Sequence, residues 1–326
     1  MIIKCADNKD SLTKVRQFLF DNKWLSKEII INDDVYFCLN EEVNLEKLDS
    51  NVCSVASRND AYYFVSRKYQ KEDTIINVHD KLIGGNYLTI IGGPCSVESA
   101  EQIKQIVSYL KKTKTDFLRA GIFKPRTSPY TFQGLGKDGL TILKEQSDYP
   151  IVCELTSIIQ VNDYAKDIDI IQIGARNMQN FELLKAVAQT KKPIILKRGF
   201  NATIKEWLLA AEYLYLEGNP NIILCERGIR SFETSYRNVT DINAIVYLKK
   251  QTHLPIIIDP SHSTGLASMV ESVALGCLMA GANGMIVETH YKPSLALSDG
   301  NQSLNEKQYC SLVEKAIKLK QFMNNL

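Results

Sequence analysis

The 326-residue chain lacks most of the features that would assign its class at a glance. No apolar run approaches the ~20 residues of a membrane span, so no membrane partner is expected. Residues 1–10, MIIKCADNKD, turn polar after three positions and carry no signal-peptide core. The eight cysteines form no CxxC pair and no small-domain framework. Without a secretory signal they read as reduced thiols of a cytoplasmic protein, most of them packed in the core. Formal net charge is only +2, which leaves no global field for nucleic acid. No GxGxxG follows the first strand of the repeating region described below, which weakens a dinucleotide-binding sheet. No compact metal motif is present either, so any metal site must be assembled from distant segments.

What remains is ordinary globular composition, 45% hydrophobic and 23% charged. The length suits a barrel of roughly 250 residues plus an extra piece. Residues 1–70 read as a small α+β unit. MIIKCA is a strand, SLTKVRQFLFDNKW a helix with Leu12, Val15 and Leu19 on one face, and KEIIINDDVYFCLN a short hairpin turning at Asn32-Asp33-Asp34. LEKLDSNVCSVAS reads as a second helix and AYYFVSRK as a closing strand. The order βαββαβ predicts a ferredoxin-like fold. Residues 71–86 then form a linker with a short strand of its own.

From residue 87 to 326 a rhythm repeats eight times. The runs YLTIIGGP, DFLRAGIF, PIVCELT, DIIQIGA, PIILKRG, NIILCERG, LPIIIDPSH and NGMIVETH are rich in β-branched residues and nearly continuous in apolar character, as buried parallel strands should be. Helical spacing separates them: Ile103, Ile106, Val107 and Leu110, and later Tyr309, Leu312, Val313 and Ala316, fall at i, i+3, i+4, i+7. Eight βα units predict a closed (β/α)8 barrel, a TIM barrel, rather than an open doubly wound sheet.

In such a barrel the C-terminal strand ends and the loops after them build the active site. Here they carry Cys95, then Arg119 with Lys124 and Arg126, then Glu154, Arg176, Lys197, Arg227, His262 and Glu288. A single such residue is usually a solvated loop charge; a full circle of them is not what a structural barrel needs. Arg119, Lys124, Arg126, Arg176, Lys197 and Arg227 would repel one another at one mouth unless anions neutralise them. Arginine forks match phosphate and carboxylate oxygens in pairs, so more than one anionic group is implied. Gly121, Gly174, Gly199 and Gly228 beside them either let backbone approach a ligand or simply turn the chain. Cys95, His262, Glu288 and Asp299 offer a thiolate, an imidazole and two carboxylates, a donor set suited to a divalent transition metal. Strands one and eight are neighbours in a closed barrel, so these four can converge. His79 and His253 have no such company. His290, two residues past Glu288, is a candidate to support a ligand rather than to be one.

These strand ends also carry recognisable runs: IIGGPCSVES (90–99), LRAGIFKPRTSPYTFQGLG (118–136), IQIGARNMQN (171–180), ILKRG (195–199), ILCERGIRSFE (223–233), DPSHSTG (259–265), VETH (287–290) and ALSDG (296–300). In order and across the whole barrel they resemble 3-deoxy-D-arabino-heptulosonate 7-phosphate (DAHP) synthases, most nearly the type I beta branch, some members of which carry an N-terminal ferredoxin-like regulatory domain. VSRKYQKEDT (65–74) resembles that branch's junction. The resemblance implies the condensation of phosphoenolpyruvate with erythrose 4-phosphate, the first step of the shikimate pathway to chorismate and aromatic amino acids. It implies Cys95, His262, Glu288 and Asp299 as ligands of one divalent ion such as Mn, Fe, Co or Zn. Arg119, Lys124, Arg176, Lys197, Arg227 and the backbone N–H of Ala175 would hold phosphoenolpyruvate, with Glu154 beside them. Pro125, Arg126 and Thr127 would take the aldose phosphate, with Lys124 reaching between the substrates. The catalytic set is then Cys95, Lys124, Glu154, Lys197 and His262, with the general acid and base left open between Glu154 and Lys197. The rival readings are a 3-deoxy-D-manno-octulosonate 8-phosphate synthase, whose corresponding run is KANRSS-like where this chain has KPRTSP, and a catalytically silent sugar-phosphate sensor. The resemblance further implies a homodimer or homotetramer, and tyrosine or phenylalanine as effector of residues 1–70. The short hairpin counts against regulation.

Overall fold

The computed structural model describes residues 1–5, 9–31, 33–43, 53–126 and 128–325. It contains an eight-stranded parallel barrel wrapped by helices and a four-stranded antiparallel sheet from the N-terminal segment. All eight apolar runs read from the sequence are barrel strands.

The N-terminal sheet comprises β1 (Ile2–Cys5), β2 (Leu25–Ile31), β3 (Asp34–Leu39) and β4 (Cys53–Ser57), in the order β2-β3-β1-β4, with α1 (Lys9–Asp21) packed on it. Ile3, Leu12, Val15, Leu19 and Phe37 form its core. Three expectations need correction here. The hairpin is not short: β2 and β3 have seven and six residues. The closing strand is Cys53–Ser57, at the end of the segment read as a second helix; the rest of that segment up to Val52 lies outside the described residues. AYYFVSRK forms turns instead of a strand. Its β-forming residues are diverted by a distant side chain, because the Glu212 carboxylate accepts the backbone N–H groups of Tyr63, Phe64 and Val65 at 2.9–3.0 Å. A fourth correction concerns the thiols. Antiparallel pairing sets Cys5 opposite Cys53 with Cα atoms 4.2 Å apart, and the two form a disulfide. The other six cysteines are free.

The linker holds two strands, not one. β5 (Ile75–Val78) and β6 (Lys81–Gly84) form an antiparallel hairpin. Its Ile76, Val78 and Ile83 cluster with the inward residues Ile91, Phe117, Val152, Ile170, Ile195, Ile223, Cys225, Ile257 and Ile286, so the hairpin stoppers one end of the barrel.

The barrel strands are β7 (Thr89–Gly93), β8 (Phe117–Arg119), β9 (Ile151–Glu154), β10 (Ile170–Ile173), β11 (Ile194–Lys197), β12 (Ile222–Glu226), β13 (Ile256–Ile258) and β14 (Gly284–Glu288), closing β14 onto β7. The outer layer includes α2 (Ala100–Leu110), α3 (Lys137–Gln146), α4 (Ile158–Tyr164), α5 (Phe181–Gln189), α6 (Ile204–Leu216), α7 (Ile242–Gln251), α9 (Ala267–Met279) and α10 (Glu306–Met323), with a short extra α8 (Pro260–Thr264) after β13. Among the described residues no helix is long and apolar enough to cross a membrane.

The two-residue period of a strand decides which charges reach the mouth. Counting two residues on from the inward Phe117, Val152, Ile170, Ile195, Cys225, Ile257 and Ile286 gives Arg119, Glu154, Gln172, Lys197, Arg227, Asp259 and Glu288. Residues of the opposite parity face the helices. Arg198 and Glu226 pair there at 2.8 Å, and Arg198 also reaches Asp241 at 2.9 Å and lies over the Trp207 ring. That buried pair belongs to the outer layer, not the mouth.

Candidate active site

The mouth is a cavity of ≈ 280 Å³ lined by Lys124, Pro125, Arg126, Glu154, Ala175, Arg176, Lys197, Arg227, His262 and Asp299, all of which the sequence reading proposed. Ser128, Thr131, Gly174, Phe200 and Arg237 complete the lining. Cys95, Arg119 and Glu288 are not among the lining residues and are buried. Thr127 lies outside the described residues.

The Cys95 Sγ and carboxylate oxygens of Glu288 and Asp299 all lie within 4.8 Å of one another. The Nε2 of His262 is 3.4 Å from Glu288 Oε1 and 4.0 Å from Asp299 Oδ2, so the fourth proposed ligand stands at the edge of the same cluster. Desolvation lowers the His262 pKa, which favours the neutral imidazole that can ligate a metal. Desolvation pushes the Cys95 thiol up to about 12. Asp299, in the left-handed region at φ 52°, remains ionised: burial opposes this, but Lys124, Cys95 and His262 beside it win. Non-glycine residues seldom adopt that backbone conformation, although aspartate tolerates it better than most. The Lys124 ammonium contacts both Cys95 Sγ and Asp299 Oδ2, the latter at 2.9 Å. A cation thus already sits among the donor atoms, and a thiol, an imidazole and two carboxylates are the donor chemistry a divalent transition ion takes. The residues fit such an ion.

Glu288 is held from both sides, with Oε1 accepting from Arg119 at 2.6 Å and Oε2 from the buried Gln302 at 2.5 Å. Gln302 in turn accepts from Arg237 at 2.8 Å. Asp259 joins two other site residues, with Oδ2 at 2.5 Å from Lys197 Nζ and 2.7 Å from His262 Nδ1. Its Oδ1 accepts the His262 N–H at 2.9 Å and caps α8. The run DPSHSTG is therefore a complete short helix, with its cap, a proline in the first turn and Gly265 at φ 72° as its stop. Glu154 accepts from Gln172 at 2.9 Å. A Cβ at Gly174 would lie 2.1 Å from Glu154 Oε1, so any other residue there would push that carboxylate aside.

Asp259, Gln172, Gln302, Arg237 and Phe200 are site residues that sequence reasoning missed. Asp259 and Gln172 carried a signal, the strand parity just described; Arg237, on a loop, and Gln302, in the 3-10 turn Gly300–Gln302, carried none. His290 is buried, stacked on Tyr291, and faces Glu98 at 3.6 Å rather than the donor cluster. His79 pairs with Asp169 at the surface, and His253 is buried between Thr74 and Phe64.

A closed barrel whose mouth joins converging cations to such a cluster has the form of an enzyme site for anionic groups. The model of the DAHP synthetase I family matches residues 67–325, and the chain belongs to that family. It is 46% identical over 293 residues, 89% of its length and 86% of the relative's, to phospho-2-dehydro-3-deoxyheptonate aldolase of Thermotoga maritima. A 2-dehydro-3-deoxyphosphooctonate aldolase of Desulfosudis oleivorans is 33% identical over 272 residues, 76% of this chain and 96% of that one. Among solved structures, the T. maritima DAHP synthase aligns with TM-score 0.80 and 39% identity over 99% of this chain and 97% of its own. A truncated form of the T. maritima enzyme aligns with TM-score 0.77 and 43% identity over 81% of this chain and 98% of its own. The chain is thus a transferase-type aldolase of the DAHP synthase kind.

Proposed function

We propose that the mouth condenses phosphoenolpyruvate with erythrose 4-phosphate, releasing DAHP and inorganic phosphate, with one divalent metal held by Cys95, His262, Glu288 and Asp299. The observation that carries this reading is a cavity lined with converging cations whose wall, at Asp299 and His262, adjoins the buried donor cluster with Cys95 and Glu288. The higher identity to the heptonate enzyme, over more of the chain, supports the four-carbon aldose over the five-carbon one. When bound, the metal supplies Lewis-acid polarisation of the aldehyde oxygen. Arg176, Arg227, Lys197 and the Ala175 N–H bind the phosphate and carboxylate of phosphoenolpyruvate, with Lys124 beside them and Arg119 behind. Arg126, Thr127 and Pro125 receive the aldose phosphate. So oriented, the phosphoenolpyruvate methylene carbon bonds to the aldehyde carbon, water adds to the cationic carbon left behind, and phosphate departs. The fixed cations stabilise the anionic groups throughout. Glu154, which lines the cavity and whose Oε2 accepts from Gln172 while Oε1 has no hydrogen-bond partner among the described residues, is the carboxylate available to move the proton of that water.

The test is phosphate release with each aldose phosphate. Erythrose 4-phosphate should give the higher specificity constant; a preference for arabinose 5-phosphate would install the octulosonate reading. Arg126→Ala should raise the KM for erythrose 4-phosphate roughly tenfold to hundredfold, the cost of a charged hydrogen bond, with a much smaller change for phosphoenolpyruvate. Arg176→Ala should do the reverse. Equal shifts in both constants for both variants would refute the division of the cavity.

For the N-terminal segment we propose an effector role, with tyrosine or phenylalanine bound between segments of neighbouring subunits in a homodimer or homotetramer. This requires the ligand to prefer one arrangement of the pair, and the long hairpin offers more surface for it than the sequence suggested. The boundary is better drawn before Tyr62 than at residue 70, because Phe64 and Val65 are fully buried and their N–H groups serve Glu212. Deleting residues 1–58 should leave a folded, active barrel without any aromatic feedback inhibition. Deleting 1–70 should melt several degrees lower still, since Glu212 loses three donors and a buried acceptor left unpaired costs about 1–3 kcal/mol. Thermal melts and inhibition assays of both truncations check this; inhibition surviving in the shorter deletion would put the effector site on the barrel.

A further inference from the structure

Six cations at and beside the mouth fall into two sets. Arg119, Lys124 and Lys197 each hold a carboxylate, at 2.6, 2.9 and 2.5 Å. Arg176, Arg227 and Arg230 hold none among the described residues; what they share is Phe200. Their guanidinium carbons lie 5.6, 4.7 and 4.9 Å from the centre of its ring. Phe200 follows β11, is partly buried and lines the cavity. The Arg230 N–H donates to the Phe200 carbonyl at 2.8 Å, which ties the loop after β12 to the loop after β11.

We propose that Phe200 is a positioning residue, a neutral platform that gathers these three guanidinium groups for the anionic groups of phosphoenolpyruvate, and that Arg230 thereby belongs to the binding set. The inference rests on the phosphoenolpyruvate reading above. Its physical reason is competition. A carboxylate in the place of the ring would draw the same cations together, but it would occupy their N–H donors and would have to be displaced by the incoming anion. A ring attracts a guanidinium through its π quadrupole and leaves the planar fork of donors free for oxygen. It adds no negative charge to repel the substrate. Three like charges near one another also oppose their own ordering, so holding them in place before the anion arrives lowers the cost of binding it.

The experiment is titration calorimetry of phosphoenolpyruvate with no aldose present, on wild type, Phe200→Leu, Phe200→Tyr and Arg230→Gln, together with KM values for both substrates. Phe200→Leu should weaken phosphoenolpyruvate binding roughly tenfold, within the range of partly desolvated cation–π contacts. The KM for erythrose 4-phosphate should move less than about twofold in the same assays. Phe200→Tyr, which keeps the ring, should restore binding, and Arg230→Gln should weaken it about fivefold. Unchanged affinity in Phe200→Leu, or a Tyr variant as weak as the Leu variant, would overturn the proposal. Should Phe200→Leu fail to fold, Arg230→Gln decides, because Arg230 is exposed: unchanged affinity there overturns it. Wild-type protein that binds no phosphoenolpyruvate would instead defeat the functional reading. Inorganic phosphate then serves as the probe of the platform, and equal phosphate affinity in wild type and Phe200→Leu overturns it.

Discussion

Chelation should abolish turnover, and Mn, Fe, Co or Zn should restore it, through a site that fails when Cys95 becomes serine. Cys95 is 3% exposed, and its Sγ lies 3.0 Å from Asp299 Oδ2. Desolvation together with the nearby Glu288 and Asp299 charges raises its pKa to about 12, so at neutral pH the thiol is protonated when no metal is bound. The thiolate is the form that ligates. Metal binding must therefore displace that proton, and affinity should rise with pH as the displaced proton becomes easier to lose. Cobalt loaded into the wild-type protein should show a thiolate-to-metal charge-transfer band that Cys95→Ser lacks. The variant should keep its fold, since a serine hydroxyl fits the same space. It should lose metal affinity by about a hundredfold or more, beyond the range usual for residues that merely support a ligand. Full turnover by chelated Cys95→Ser would sink the assignment. Retained metal affinity with lost turnover would assign Cys95 to the chemistry rather than to the ion.

The barrel and most of its mouth were legible because parallel strands buried on both faces announce themselves as apolar runs, and because a barrel puts its chemistry where those runs end. Charge type alone ranked the candidates, and that is where the reading fell short. It took Arg227 rather than Glu226 and Lys197 rather than Arg198, and these are the members of each pair that line the cavity, yet it passed over Asp259, although Ile257 packs inward and Asp259 follows it by two. Asp259 also caps α8, and an aspartate in that position serves as a cap as readily as a site residue. Phe200 was invisible for a different reason: an aromatic among glycines and arginines carries no charge to attract notice. The N-terminal errors have a third cause. Short β-branched stretches suit strands or helix faces equally well, so Cys53–Ser57 went to the wrong element. What turns Tyr63–Val65 out of a strand is Glu212, about 150 residues away, and no local pattern records a partner that distant.

Asp259→Asn should cost both stability and catalysis, and a second substitution should separate the two losses. Asp259 is 1% exposed, and one of its oxygens faces both Lys197 and His262. Burial alone would raise its pKa; the His262 ring and the Lys197 ammonium, both against its Oδ2, outweigh that and hold the carboxyl well below the usual range, so it is ionised across the working pH range. Its stabilising contribution is present above the unfolded carboxylate pKa of about 3.9 and is lost only as pH falls through the lower folded value. Asparagine keeps an oxygen for the α8 cap and removes the charge. Lys197 is then a buried ammonium without a counterion, a defect worth about 3–5 kcal/mol. The melting temperature should drop by several degrees or more. Without that partner Lys197 is no longer held in place for phosphoenolpyruvate, so kcat/KM should fall at least about a hundredfold. The double variant Asp259→Asn with Lys197→Met removes both charges. If the unpaired ammonium is the cause, that protein recovers much of the lost stability while remaining inactive, and the cycle gives a coupling of about 1–3 kcal/mol. Equal melting temperatures for the single Asn variant and the double variant would mean that the cap and the His262 contact, not the lysine charge, are what Asp259 is there to hold.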